Sequence, residues 1–371
     1  MRRCITLVGW LWIGWLLLGA GPIGAQPSDT ATFRGTVVDS TSGEPLPGAH
    51  VFIATSMIGT TTDTDGRFRL TGVPMGVQRL YASMLGYQSA AVDTLVRANQ
   101  SYTLRLRLQP TVLESEGVVV EAERDEEWRE RLAKFERLFI GTSRNADHCT
   151  LMNPEVLLFE DGWLKPFRAK ATAPLIIENH ALGYRVRYFL KEFTAQGTTV
   201  KWDGEPLFEP LTSKDSAEAA KWRQNRRRAY RGSLRHFLLA LIHDRVDEAG
   251  FIVHRRPHAS PFRSVGREVK HSVDADELIE AMPDTSLWKL DFHGRLEIVY
   301  PEEMENERFF RWQRRIHHDG PGPQTSFIEL NEPHVTIDAT GDIVEPYGAT
   351  IFGYFAFERL ADLTPQEYRP R

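Results

Sequence analysis

The chain has 371 residues, 42% of them hydrophobic and 26% charged, ordinary values for globular protein and enough length for two domains. Its net charge of −5 assigns no partner by itself, because the charged residues are spread unevenly. The two cysteines, Cys4 and Cys149, exclude a disulfide framework once the first is removed with an N-terminal leader.

Arg2 and Arg3 give a positive start, Ile5 to Leu18 is almost wholly apolar, and Gly19 to Ala25 is small and turn-prone. That order is a secretory signal, with cleavage expected after Ala25. The rival reading is an uncleaved anchor, but an apolar run of about fourteen residues is short against the roughly twenty that span a bilayer. Cys4 precedes the apolar run, so no lipoprotein-type acylation site follows it. No later stretch is long and apolar enough to cross a membrane.

From Phe33 to Leu108 short strands alternate with turn chemistry. FRGTVVD meets Ser40-Thr41-Ser42-Gly43, Pro45 and Pro47 bracket the next turn, and Asp63-Thr64-Asp65-Gly66 is a tight turn in which glycine takes positive φ. In the last strand Leu104, Leu106 and Leu108 point one way and Arg105 and Arg107 the other. Strands at this spacing predict a small antiparallel sandwich, with a core that includes Val37, Val51, Ile53, Phe68, Leu70, Leu80, Leu104 and Leu106.

Read in order, Gly35-x-Val37-x-Asp39, Gly43-x-Pro45-Leu46-Pro47-Gly48-Ala49-x-Val51, Gly59-Thr60, Thr62-Asp63-x-Asp65-Gly66-x-Phe68-x-Leu70, Val73-Pro74-x-Gly76 and Gly86-Tyr87 resemble the carboxypeptidase regulatory-like domain. The resemblance implies a seven-stranded, transthyretin-like Greek-key sandwich that stabilises or binds and carries no catalysis. Asp63-x-Asp65-Gly66 also invites a calcium reading. An EF-hand register, however, puts Gly72 where the bidentate glutamate belongs, so carboxylates capping turn amides are the better account.

Beyond Pro110, Glu114 to Glu136 holds nine acidic and four basic side chains. Trp128, Leu132, Phe135 and Leu138/Phe139 then recur at helical spacing, with Gly141 as C-cap. The remainder reads as α+β with an antiparallel sheet. Strands are expected at 156–159, 164–173, 175–178, 184–194 and 198–203, as a meander, and again at 290–300, 326–330 and 334–338. Helices are expected at about 214–230, from Ser233 as N-cap to about Val246, and over 351–363. The domain layout is thus a signal peptide over 1–25, the sandwich over 31–110, an acidic connector with an amphipathic helix over 111–145, and an α+β domain over 146–371. FERLFIGTSRNADHC, MNPEVLLF, PLIIENHALGYRVRY and YRGSLRHFLLAL look like the region behind this same module in a group of exported gram-negative proteins, a likeness that implies the layout and no chemistry.

Catalytic and metal motifs are sparse. None of the twelve histidines has Glu three residues later, and there is no His-Glu-x-x-His, Cys-x-x-Cys, Gly-x-Ser-x-Gly or P-loop. Gly19-x-Gly21-x-x-Gly24 sits in the leader and follows no strand. Ser286-x-x-Lys289 lacks its companion motifs. His317-His318-Asp319 belongs to a Gly-Pro loop, and Cys149 beside His148 reads as a small buried thiol. No catalytic residue, metal site or cofactor is expected.

One charge cluster stands out. Lys214 to Arg235 carries eight basic and two acidic residues, with Arg223, Arg226, Arg227, Arg228, Arg231 and Arg235 interleaved with Trp222 and Tyr230. Either these arginines form a solvated helix face, pairing the acidic connector or stacking on aromatics, or they are an anion site for envelope polyanions such as lipopolysaccharide or acidic glycans. Export argues against nucleic acid, and the expected partner is an envelope protein or anionic glycan. The expected function is a non-catalytic exported envelope protein, in the periplasm, at the outer-membrane periphery or on the cell surface, that scaffolds or binds a protein partner or surface polymer. The alternative is an envelope enzyme such as a glycan hydrolase, which would need two facing carboxylates in a deep pocket. Intact-mass measurement of protein from the native envelope is expected to give a chain beginning at Gln26; retention of residues 1–25 would overturn the cleaved leader.

Overall fold

The computed structural model describes residues 30–111, 126–162, 165–257, 271–283, 285–313, 321–345 and 347–370. The leader, the acidic stretch 112–125 and His317-His318-Asp319 lie outside the described residues. The chain is mostly β, with several antiparallel sheets.

The first unit is a sandwich of two four-stranded sheets. β1 (Thr30–Asp39), β4 (Arg67–Pro74), β6 (Tyr87–Gln88) and β8 (Ser101–Pro110) make one sheet in the order β4-β1-β8-β6. β2 (His50–Ile53), β3 (Gly59–Thr61), β5 (Gly76–Ser83) and β7 (Ala90–Val96) make the other in the order β3-β2-β5-β7. There are eight strands instead of seven because two-residue β6 pairs with β8. The pairing is also not wholly antiparallel: β1 and β8, first and last in the unit, run side by side in parallel. Their close approach explains Gly35, since a Cβ there would lie 1.8 Å from the Leu104 carbonyl oxygen. Val37, Val51, Ile53, Phe68, Leu70, Leu80 and Leu106 are buried together as expected, whereas Leu104 is only partly covered and Leu108 takes its place in the core. Asp63 caps its own turn, its Oδ1 accepting from the amides of Asp65 (3.0 Å) and Arg67 (2.8 Å).

The next body opens with α1 (Glu126–Phe139), whose Phe135 and Phe139 stack at 5.0 Å and are buried in the core of a six-stranded sheet. Gly141, at φ +109°, donates back to the Glu136 carbonyl, the helix end that the sequence predicts. The sheet contains β9 (Cys149–Leu151), β10 (Leu157–Gly162), β11 (Lys165–Ala171), β12 (Leu175–Asn179), β13 (Tyr184–Gln196) and β14 (Thr199–Pro210). It is not a simple meander. β13 pairs with β14 on one side, while β12 and β11 share its other side end to end, at 184–188 and 193–195. Thirteen extended residues reach about 40 Å, long enough for two partners.

α2 (Ser216–Tyr230) and α3 (Leu234–Ile242) come next, with Ser233 capping α3 through the His236 amide. α3 buries Phe237, Leu238 and Leu241 beneath a five-stranded sheet of β15 (Ile252–Arg256), β16 (His271–Ser272), β19 (Arg295–Met304), β20 (Pro323–Leu330) and β22 (Ala349–Gly353), in the order β16-β15-β19-β20-β22. A smaller sheet, β17 (Ile279–Ala281), β18 (Leu287–Leu290) and β21 (Val335–Asp338), joins the same core. Two short helices, α4 (Glu307–Gln313) and α5 (Tyr354–Phe357), pack aromatic side chains against each other.

Two sequence expectations fail here. The strand at 290–300 is two strands, split by Gly294 at φ +87°. The helix at 351–363 is instead β22, one helical turn and a 3-10 turn. Ile351 pairs with Ile328 in the sheet, and the tertiary partner overrides a pattern too short to choose between helix and strand.

The sandwich is fastened to the second body. Phe52 and Tyr81, on the outer face of its second sheet, are buried with Phe189 and Leu207 of β13 and β14, and the Phe52 and Phe189 rings stack at 4.6 Å. The loop after β2 adds backbone bonds, Thr55 N to Pro206 O at 2.8 Å and Phe208 N to Ser56 O at 2.9 Å. Arg79 reaches Glu205 across the seam at 3.4 Å. Phe189→Ala is expected to cost about 3–5 kcal/mol. It is also expected to separate one thermal transition into two, as calorimetry would show; an unchanged single transition would mean that the aromatic seam does not couple the units.

Candidate functional site

The arginine cluster divides once α2 is placed. Its inner face closes over the tight turn between β12 and β13 and satisfies that turn's carbonyls. Trp222 Nε1 donates to His180 O (2.8 Å), Asn225 Nδ2 to Ala181 O (2.9 Å), and Arg226 Nε and Nη2 to Leu182 O (2.5 Å) and Gly183 O (3.1 Å). The Arg226 guanidinium lies 4.0 Å from the centre of the Tyr184 ring. Gly183, at φ +69°, must be glycine because a Cβ would meet the Trp222 ring at 2.3 Å. Arg226 therefore serves the fold.

Arg235 serves it more deeply. It is 8% exposed, and its guanidinium donates to the carbonyls of Thr340 (2.9 Å), Thr364 (3.2 Å), Pro365 (2.7 Å) and Gln366. Arg235 does not share a surface with the other arginines.

Arg223, Arg227, Arg228 and Arg231 face solvent. Arg231 makes a long contact of 3.9 Å with Glu302, and Arg228 and Arg231 together ease the charge of Glu303, whose carboxyl burial pushes upward. Beside this face lies a residue that no motif in the sequence marks. Tyr368 of the C-terminal tail has its ring 6.0 Å from Tyr230. Its phenol is pushed up by burial and pulled down by the charges of Arg226, Arg227 and Arg231. Arg369 beside it donates to the Gln366 and Tyr368 carbonyls. Only the run Glu367-Tyr368-Arg369 hints at this, and nothing local to it names α2 as its neighbour.

The remaining sequence candidates have structural duties. Burial, with Asp362 nearby, pushes the Cys149 thiol up to about 12, and its sulfur donates to Asn145 O at 3.5 Å, the behaviour of an inert packed thiol. Lys289 pairs with Asp291 at 3.1 Å, and Ser286 lies against Gly76 of the sandwich, so Ser286 and Lys289 are engaged with different neighbours. A shallow, open groove runs between α1 and the end of β10. Of its three carboxylates, Glu127 and Asp161 are paired with Arg131 (2.6 Å) and Lys134 (3.4 Å), which leaves Glu130 and does not make two facing free acids. Among the described residues no group of three His, Cys, Asp or Glu side chains is placed to hold a metal ion.

Residues 33–120 match the CarboxypepD_reg-like domain, the family that the N-terminal motifs resemble; the N-terminal unit is a carboxypeptidase regulatory-like domain. The match covers less than half of the chain. No curated protein matches it. Similar solved structures include a type II cohesin–X-dockerin complex from Acetivibrio cellulolyticus, at 18% identity over 22% of this chain and 58% of that one, with a TM-score of 0.19. They also include 3-chlorocatechol 1,2-dioxygenase from Rhodococcus opacus, at 15% identity over 23% of this chain and 61% of that one, with a TM-score of 0.19. A third is the major pilin subunit BcpA of Bacillus cereus, at 14% identity over 22% of this chain and 30% of that one, with a TM-score of 0.19. The chain thus spans less than two thirds of each, and superpositions this loose carry no argument about activity.

Two buried carboxyls give the molecule a pH signature. Burial raises Asp362 to about 6 although Ser143 Oγ and Asn145 Nδ2 donate to it at 3.1 and 2.8 Å. Burial and the neighbouring Asp338 raise Asp342 to about 6, against the pull of Arg235 and a bond from Thr340. A carboxyl whose folded value lies above its unfolded one stabilises the fold at low pH. That contribution is lost as pH rises from about 4 through about 6. Carboxyls such as Asp147, held low by Arg308, act in the opposite sense, so a variant is needed to isolate the effect. The urea midpoint of the wild type should fall relative to that of Asp362→Asn between about pH 4 and pH 7; parallel curves would mean that Asp362 titrates normally.

Proposed function

We propose that the protein is a non-catalytic exported envelope protein that scaffolds or binds a protein partner or a surface polymer. The observation that carries this reading is the division of α2. Its inner face is consumed in capping a turn, while Arg223, Arg227 and Arg228 on the firmly seated helix, and Arg231 at its C-cap, project toward solvent. Charged side chains on a fixed frame attract and orient a partner without needing a cavity. In this reading residues 1–25 are a removed leader, 31–110 a mounting sandwich, 111–145 a connector, and 146–371 the binding body. Export places the mature chain in the periplasm, at the outer-membrane periphery or on the surface, and rests on the leader's residue pattern. The regulatory-like domain supports the same view, because the fold supplies a rigid platform and function belongs to the site carried on it.

The test is an incubation of full-length mature protein with isolated envelope fractions, tracked both for sedimentation of the protein and for release of soluble fragments. Co-sedimentation without fragment release is the expected result. Catalytic release of sugar or peptide fragments would replace this reading with that of an envelope hydrolase.

A further inference from the structure

The exposed arginines have a spacing, a neighbour and a surrounding chemistry that together specify a ligand class, and this specification rests on the binding function proposed for α2. Arg223 and Arg227 stand at i and i+4 on the outer face of α2, with about 5–6 Å between their Cβ atoms, and Arg231, the extended C-cap residue, continues the line just past the helix end. They form a row, not a point. A row at that interval fits a polymer with a repeating charge better than it fits a single small anion. Guanidinium forks suit carboxylate and phosphate oxygens, which they hold bidentately. Arg369 extends the positive surface from the tail, and partly exposed Tyr368 puts a ring and a hydroxyl within it.

Two other ligand chemistries fit less well. A helix that lies on a lipid surface presents its apolar side outward to the acyl chains. Here the apolar and aromatic side of α2 (Trp222, Ala229, Tyr230) is buried against the protein, and none of the exposed large hydrophobic residues belongs to this helix. Nucleic acid is read on single strands by exposed aromatic platforms on which bases stack. Tyr230 is buried, which leaves one partly covered tyrosine against a row of charges. A sugar chain asks for less: edge contact, hydroxyl bonding and charge at intervals.

We infer that Arg223, Arg227 and Arg231, with Tyr368 and Arg369, form a binding face for an acidic polysaccharide, one that carries carboxylates or phosphates on its sugar rings. Arg226 and Arg235 are frame, and exposed Arg228 lies off the line of Arg223 and Arg227 on the helix. The face is open, so it takes an internal stretch of a long chain and needs no chain end.

The experiment titrates full-length mature protein with polygalacturonate, with phosphomannan, with neutral dextran and with a single-stranded DNA of matched charge, at about 0.01 M and about 0.15 M salt. Binding of polygalacturonate or phosphomannan but not dextran is expected, and it should weaken steeply as the screening length falls from about 30 to about 8 Å. Arg223→Gln/Arg227→Gln/Arg231→Gln should lose about tenfold or more in affinity, since three charge-assisted contacts go at once, while its melting curve stays that of the wild type. Tyr368→Phe keeps the ring and should weaken binding less than Tyr368→Ala does. If the triple variant binds both acidic glycans as the wild type does, or if DNA binds more tightly than either, the acidic-glycan face is wrong. If the triple variant still sediments with envelope fractions as the wild type does, this face falls while the binding function stands. If the wild type sediments with no fraction and binds neither acidic glycan, both fall.

Discussion

The structure hangs on a buried cation, Arg235, that among the described residues has no carboxylate in contact. Arg235 gives its guanidinium to the carbonyls of Thr340, Thr364, Pro365 and Gln366, so four backbone dipoles replace the water it lost. The consequence is topological. One side chain of α3 ties the hairpin turn after β21 to the C-terminal tail. The tail in turn reaches the sandwich: Gln366 N donates to Thr55 O at 2.7 Å, Gln366 Nε2 to Gln78 Oε1 at 3.1 Å, and Glu367 accepts from Met57 N at 3.1 Å. The same Thr55 is bonded to Pro206 of β14. Sandwich, first sheet and second sheet therefore meet along a few residues of extended tail that has almost no regular structure of its own. A lysine could not replace Arg235, because a single ammonium lacks the planar fork that reaches both segments at once.

That tail also explains why the outer face of α2 is well defined. Helix α2 is fixed below by the carbonyls of 180–183 and beside by Tyr368, against which Tyr230 packs. Arginine side chains are long and normally lose much freedom on binding. Seating the helix on both flanks means that only the side chains, and not the backbone, remain to be ordered by a ligand.

Much of the sandwich was legible because its signals are local. Glycines at positive φ, the Asp63 turn and the alternation of Leu106 and Leu108 with Arg105 and Arg107 report on neighbours a few residues away. Helix ends were legible for the same reason, as Ser233 and Gly141 show. What the residues did not reveal was long-range. The parallel pairing of β1 with β8 joins residues about seventy positions apart, and β22 is a strand only because β20 lies beside it. The carbonyl partners of Arg235 lie 105 to 131 positions away, so no local pattern distinguishes it from the exposed arginines just before it.

The arginine run shows where counting charge stops being informative. Six arginines in thirteen positions read as one cluster, yet they divide by face: Trp222, Asn225 and Arg226 turn inward, while Arg223, Arg227 and Arg231 turn outward. The helical period was available from the residues alone. The sense of the helix was harder to read, because its inward side carries only a few apolar residues (Trp222, Ala229, Tyr230) among polar side chains that dock by satisfying carbonyls. A buried carbonyl left without a donor costs more than an arginine's charge costs to half-bury when that charge finds dipoles and an aromatic ring. The turn at 180–183 needs donors, arginine supplies several from one planar group, and the helix thus commits one arginine to its frame. The row left outside is what remains after that need is met: among the described residues the Arg223 and Arg227 side chains have no ion-pair partner and Arg231 has only its long contact with Glu302, so these charges are available to a ligand.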